Sequence, residues 1–215
     1  MFNIKVELDI DIQLYLNDNI EILQEVNNNS YDDYYVRKND GKYQHVASLS
    51  KHIVDKNIEL VEFPALGEGF TRYSYEDEGG YYYLQPSVAA ALFGALNTIY
   101  ESDNSITVQL GDMSTYSGGK PGIEHTGGTY SHINGRNVDV RYIRNDRKLL
   151  PVQVYDEVFD KSANQIMVNA FYKYGFRDQL SYPNKEGWIL DNVRSVKKHH
   201  HHLHLQGFYP NIMIK

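Results

Sequence analysis

The sequence predicts an α+β fold built on a mainly antiparallel sheet with flanking helices. Three observations lead there. Phe2, Ile4, Val6, Leu8, Ile10, Ile12, Leu14 and Leu16 alternate with mostly polar residues, which is the period of a half-buried strand. Residues 86–101 and 160–174 carry helical patterns. Strands and helices mix without the regular βαβ alternation that a parallel sheet needs.

Taken in order, the opening alternation predicts one long strand, broken at Asn17-Asp18-Asn19 and followed by a loop at Asn27-Asn28-Asn29-Ser30. Residues 34–44 contain Asn39-Asp40-Gly41, a hairpin turn between two short strands. Residues 48–60 have a mixed pattern and are read as a short helix leading into a strand at Glu59-Leu60-Val61-Glu62-Phe63. Glu78-Gly79-Gly80 marks a hinge or loop. The Ala-rich run that follows Pro86 predicts a buried helix, since proline suits a first helical turn. Ile106-Thr107-Val108-Gln109-Leu110 is a strand that stops at Gly111, and residues 111–128 form a glycine-containing loop. Residues 138–143 are a strand, residues 160–174 an amphipathic helix and residues 203–205 a short C-terminal strand. No internal repeat is present.

Composition limits the chemistry. The chain has 215 residues, 41% hydrophobic and 23% charged, the balance of an ordinary globular protein. A formal net charge of -7 argues against general binding of nucleic acid, which needs a basic face. There is no cysteine, so any metal must be held by His, Asp or Glu, and any nucleophile must be a hydroxyl, a carboxylate or water. No apolar run approaches membrane-spanning length, so no membrane insertion is expected.

Two segments concentrate metal-capable side chains: Ser131-His132-Ile133-Asn134-Gly135-Arg136-Asn137-Val138-Asp139-Val140 and His199-His200-His201-His202-Leu203-His204-Leu205. A turn at Asn134-Gly135 can bring an imidazole and a carboxylate to one point. On a strand, His202 and His204 project from the same face, so one can ligate a metal while the other sits beside it. Two His and one Asp leave a fourth position for water, the pattern of catalytic rather than structural zinc. A histidine run also suits an expression tag or a non-specific metal-binding tract. Here, however, it is interrupted by Leu203 and continues into Leu205-Gln206-Gly207-Phe208-Tyr209-Pro210, a strand and a turn.

The stretch Val108-Gln109-Leu110-Gly111-Asp112-Met113-Ser114, the pair Gly118-Gly119, the His132-x6-Asp139 segment and the closing His202-x-His204 resemble the penicillin-insensitive murein endopeptidases. These belong with lysostaphin-type peptidases, D-Ala-D-Ala carboxypeptidases and the hedgehog signalling domain. The resemblance spans residues 86–205. It implies a hedgehog/D-Ala-D-Ala peptidase-like fold, zinc held by His132, Asp139 and His204, His202 as general base, and His199 as a second active-site imidazole. It also implies a D,D-endopeptidase that cuts peptidoglycan cross-links. The alternatives are a D-Ala-D-Ala carboxypeptidase or a zinc-containing binding module without catalysis. The chain departs from the family at Thr129, where members often carry a histidine; His125 lies nearby.

On this reading residues 1–80 are a β-rich N-terminal extension and residues 81–215 the zinc peptidase domain. The N-terminus lacks a secretory signal pattern, so the expectation is cytoplasmic synthesis followed by non-classical delivery to the cell wall. A phage lysin or a secreted antibacterial effector fits, with delivery machinery or an immunity protein as partner. Asp112 is a further candidate for orienting a ligand histidine, and Arg136 and Arg141 for holding a substrate carboxylate. The Tyr81-Tyr82-Tyr83 run and Trp188 are candidates for a wall against sugar or peptide, although ordinary packing accounts for most of the 19 tyrosines.

Overall fold

The computed structural model describes residues 13–16, 19–27, 30–55, 58–73, 81–119 and 132–209, with backbone alone before Ser30. Most of the opening alternation, the Glu78-Gly79-Gly80 hinge and residues 120–131 lie outside the described residues.

The chain is α+β. Strands β1 (Gln13–Leu16), β2 (Asn19–Asn27), β3 (Tyr31–Arg37), β4 (Tyr43–Asp55), β5 (Ile58–Glu62) and β8 (Tyr83–Leu84) form an antiparallel sheet in that order. A second sheet has the order β12 (Val193–Ser195), β11 (Phe176–Ser181), β13 (His202–Phe208), β10 (Val138–Arg141), β9 (Val108–Leu110), β7 (Phe70–Arg72), β6 (Leu66–Gly67). It is antiparallel except where β11 meets β12 and β7 meets β9. Sheet membership crosses residue 80: β6 and β7 lie in the second sheet, while β8 returns to the first.

The hairpin turn at Asn39-Asp40-Gly41 is present, with Gly41 at φ +81° and its N–H donating to the Lys38 carbonyl at 2.8 Å. The short helix expected within residues 48–60 is not. β4 continues to Asp55 and β5 begins at Ile58, because both are held by backbone ladders, β4 to β3 and to β5. A mixed side-chain pattern yields to such pairing, since strand preference depends on the neighbouring strands.

Helix α1 (Pro86–Ser102) buries Val88 through Leu96 without interruption, so it is core on nearly every side. Its Phe93 meets Tyr34 of β3 at 5.4 Å and Phe63 at 4.6 Å between ring centroids, and Phe63 meets Phe70 of β7 at 5.5 Å. One hydrophobic core therefore joins both sheets. Helix α2 (Lys161–Lys173) starts at Asp160, whose carboxylate accepts from the Ala163 N–H at 2.9 Å, and buries Ala163, Asn164, Met167, Val168, Ala170 and Phe171 along one stripe. Buried Asn164 ties α2 to the end of β10: its Oδ1 accepts from the Ile143 N–H at 2.9 Å and its Nδ2 donates to the Ile143 carbonyl at 2.8 Å.

Candidate metal centre

Strand alternation separates the two faces of the second sheet. Val138, Val140, Leu203 and Leu205 are fully buried in the core. Asp139, Arg141, His202 and His204 therefore share the opposite face. Asp139 is registered against His204, and Arg141 against His202. Asp139 is fixed from its other side as well, its N–H donating to the Asp112 carbonyl at 2.9 Å and its carbonyl accepting from the Gly111 N–H at 2.7 Å.

His132 reaches the same point through a tight 3-10 turn (Ile133–Gly135), in which Asn134 (φ 61°) and Gly135 (φ 65°) are both left-handed. Such a pair favours asparagine and glycine. Gly118 accepts from the Asn134 N–H at 2.8 Å, and Gln85 donates its N–H to the Gly135 carbonyl at 2.9 Å and its Nε2 to the Asn134 carbonyl at 2.9 Å. The turn is thus anchored to β8 and to the start of α1. Ser131, His125 and Thr129 lie outside the described residues.

The Nδ1 of His204 is 2.6 Å from Oδ1 of Asp139, and the Nε2 of His132 is 3.5 Å from its Oδ2. One ligand atom from each of the three residues falls within 4.8 Å of the others. Ligand atoms about 2.0–2.1 Å from a tetrahedral ion lie roughly 3.3 Å from one another, so the donor set fits a divalent metal with little adjustment. The outward nitrogens, Nδ1 of His132 and Nε2 of His204, are buried and make no hydrogen bond among the described residues.

His202 and His199 stand beside these three. The Nε2 of His202 is 3.6 Å from Asp139 Oδ1, and the ring centroids of His199 and His202 are 4.9 Å apart. His199, His202 and His204 form a second group whose ligand atoms converge within 4.8 Å. The Nδ1–H of His199 donates to the carbonyls of Lys197 (3.1 Å) and Val196 (3.3 Å), which leaves its Nε2 with a free lone pair.

The histidine tract is built into the fold rather than draped over it. Buried Tyr142 donates its hydroxyl to the His199 carbonyl at 2.9 Å and accepts from Ser181 at 2.7 Å. The Val154 N–H donates to the His200 carbonyl at 2.9 Å, and the His200 ring stacks on Tyr155 at 5.6 Å. His200 and His201 are outside both ligand groups. Tyr142 escaped the sequence reading because its role is to hold a backbone carbonyl, which leaves no motif.

Charge follows this geometry. Burial alone would raise Asp139, but the hydrogen bonds from His132 and His204 and the neighbouring imidazolium charge hold it far below the carboxylate range. Burial lowers His132, yet Asp139, helped by the charge of Asp112, outweighs it and raises the net pKa. Burial pushes His202 down to about 4 and lowers His199 as well. His202 is therefore neutral near pH 7.

The remaining candidates sort as follows. Arg136 donates to the Phe208 carbonyl at 3.2 Å and so ties β13 to the turn that carries His132. Arg141 stacks on Tyr73, its Cζ 3.8 Å from the ring centroid. Tyr82 lies under Arg72 and Trp188 packs against Phe159 and Lys161, so these aromatics serve local packing. Among the described residues no helix is long and apolar enough to cross a membrane. Neither a protein-family model, nor a curated protein, nor a solved structure matches this chain.

Proposed function

We propose that this protein is a zinc-dependent peptidase of bacterial peptidoglycan, a D,D-endopeptidase of the hedgehog/D-Ala-D-Ala peptidase-like group. The observation that carries the reading is the convergence of His132 Nε2, the Asp139 carboxylate and His204 Nδ1, with two further imidazoles at the same place. Zinc held by those three residues would act as a Lewis acid on the scissile carbonyl and lower the pKa of a bound water to about 7.

The chain's own groups supply the rest. Asp139 stays ionised and would supply the anionic ligand beside the facing nitrogens of His132 and His204. Neutral His202 accepts the proton of the attacking water and returns it to the leaving amine nitrogen as the amide C–N bond breaks. His199, its Nδ1–H committed to backbone carbonyls, offers a fixed acceptor that orients the attacking water. A binding site alone would need neither spare imidazole. Delivery to the cell wall, as a phage lysin or secreted effector, belongs to this proposal.

Digestion of purified sacculi followed by mass spectrometry of the muropeptides tests it. Zinc-loaded protein should convert cross-linked dimers to monomers, and a chelator should stop the conversion. Release of terminal D-alanine without loss of dimers would assign a carboxypeptidase instead. Zinc binding without cleavage of any muropeptide would leave a binding module. Full turnover by His132→Ala or His204→Ala would overturn the assignment.

A further inference from the structure

We infer that His199, His202 and His204 form a second, alternative metal position that takes copper(II), and that copper seated there excludes zinc from the His132/Asp139/His204 position. The position itself stands on the geometry of the three rings; its consequence for activity rests on the peptidase reading.

Ligand atoms of the three imidazoles all lie within 4.8 Å of one another. Ligand atoms around a bound tetrahedral ion are roughly 3.3 Å apart, so small side-chain rotations close the set. The ring centroid of His199 is 4.9 Å from that of His202 and 5.8 Å from that of His204.

His199 has the marks of a ligand. A metal-bound histidine commits its other ring N–H to a carbonyl or carboxylate, which fixes the tautomer and aims the lone pair. His199 does this through Nδ1–H, donated to the carbonyls of Lys197 at 3.1 Å and Val196 at 3.3 Å, and so presents Nε2. Its own carbonyl is held at 2.9 Å by the hydroxyl of buried Tyr142. The rest of the histidine tract is excluded: His200 stacks on Tyr155, and neither it nor His201 joins the group.

The two positions overlap. Both draw on His204, and the Nε2 of His202 is 3.6 Å from Asp139 Oδ1. They differ in donor chemistry, since one includes a carboxylate and the other is three neutral imidazoles. Exchanging the carboxylate for an imidazole favours the ions at the top of the divalent series, of which copper(II) binds nitrogen donors most tightly. An ion held there occupies the lone pairs of His202 and His199, the two imidazoles assigned to handle water. Copper(II) would therefore inhibit.

Calorimetric titration of metal-free protein with copper(II) chloride, and separately with zinc chloride, tests the position. His199→Ala should weaken copper(II) binding by more than about tenfold and leave zinc affinity unchanged, whereas Asp139→Asn should do the reverse. His200→Ala and His201→Ala should change neither affinity. Electron paramagnetic resonance of the copper(II) protein should show imidazole nitrogen couplings that diminish in His199→Ala. Equimolar copper(II) should release zinc from the zinc-loaded protein, read with a zinc indicator. No copper(II) binding, an affinity unchanged by His199→Ala, an equal loss in His200→Ala or His201→Ala, or copper(II) and zinc bound together overturns the inference. Muropeptide digestion keeps the two readings apart. Cleavage by the zinc-loaded protein, with copper(II) binding indifferent to His199, sinks the copper position and keeps the peptidase. Copper(II) binding lost with His199, in a protein that cleaves nothing when zinc-loaded, does the reverse.

Discussion

Asp139 and His204 face each other across the β10–β13 pair, and the 2.6 Å contact between Oδ1 and Nδ1 links a backbone register to a chemical site. A one-residue slip of either strand would turn one partner into the core. The core residues Val138, Val140, Leu203 and Leu205 forbid that slip. Because packing sets the register, substitutions at the metal ligands should spare the fold and remove the metal. His204→Ala, His132→Ala and Asp139→Asn should each weaken zinc affinity by more than about a hundredfold, beyond the loss typical of an outer-shell partner. Calorimetry with zinc, alongside far-UV circular dichroism, measures both effects; near-normal affinity in any of the three would remove that residue from the ligand set.

Gly135 joins the site to the first sheet. A Cβ there would stand 2.7 Å from Leu60 Cδ2, 2.8 Å from the Gln85 nitrogen and 2.8 Å from Leu84 Cα, on a backbone already left-handed. Two of those neighbours are main chain and cannot swing aside. Gly135→Ala should cost about 1–3 kcal/mol by combined strain and overlap. It should also weaken zinc binding, because it displaces the turn that carries His132. Denaturant unfolding and zinc titration on the same protein check the pair of effects; a loss of stability with unchanged zinc affinity would show that the turn can shift without moving His132.

Asp160 caps α2 and pairs with Arg147 at 2.6 Å. Burial would raise its carboxyl, but the hydrogen bonds from the helix N-terminus and from Arg147 outweigh burial and lower the pKa. A folded pKa below the unfolded one means that the stabilisation is complete above the ordinary carboxylate value, about 3.9, and fades as pH falls through the lower, folded value. Asp160→Ala should cost roughly 1 kcal/mol or more near pH 7, and Asp160→Asn less, since asparagine still caps. The difference from wild type should shrink on acidification below about pH 4. Thermal unfolding at a series of pH values reads this directly; a deficit that stays constant down to pH 2 would contradict it.

Local signals made part of this legible beforehand. Pro86 and the alanine run mark α1, the amphipathic pattern of residues 160–174 marks α2, and Asn39-Asp40-Gly41 marks its hairpin. The site's two segments were visible because each holds its chemistry within a few residues, and Asn134-Gly135 announces the turn between His132 and Asp139. β11 was hidden for a physical reason. Gln179 and Ser181 are fully buried on it, made tolerable by distant partners: Gln179 donates to the Val168 carbonyl at 2.9 Å, and Ser181 bonds Tyr142. A polar residue reads as surface until its partner is known. The exchange of β6, β7 and β8 between the sheets is equally non-local, and Arg141 differs from Arg136 only in what each touches.

The same logic hid an ion pair in the core of the first sheet. Asp32 lies on the buried face of β3 with Tyr34 and Val36, 1% exposed, and Lys51 of β4 meets it at 3.0 Å with 5% of its side chain exposed. The same β3–β4 pair contains a bulge between Tyr34 and Tyr35, where a ladder is prone to slip. One charged pair among apolar side chains penalises every register except the one that joins it. Removing either residue breaks the buried ion pair, so Asp32→Ala or Lys51→Ala should destabilise, by up to about 3–5 kcal/mol. Replacing both, as Asp32→Leu with Lys51→Met, should recover most of that loss, because neither desolvated charge remains. Urea unfolding of the two single variants and the double variant measures the coupling. Additive losses in the double variant would show that the pair contributes no register control and that each residue is held by other contacts.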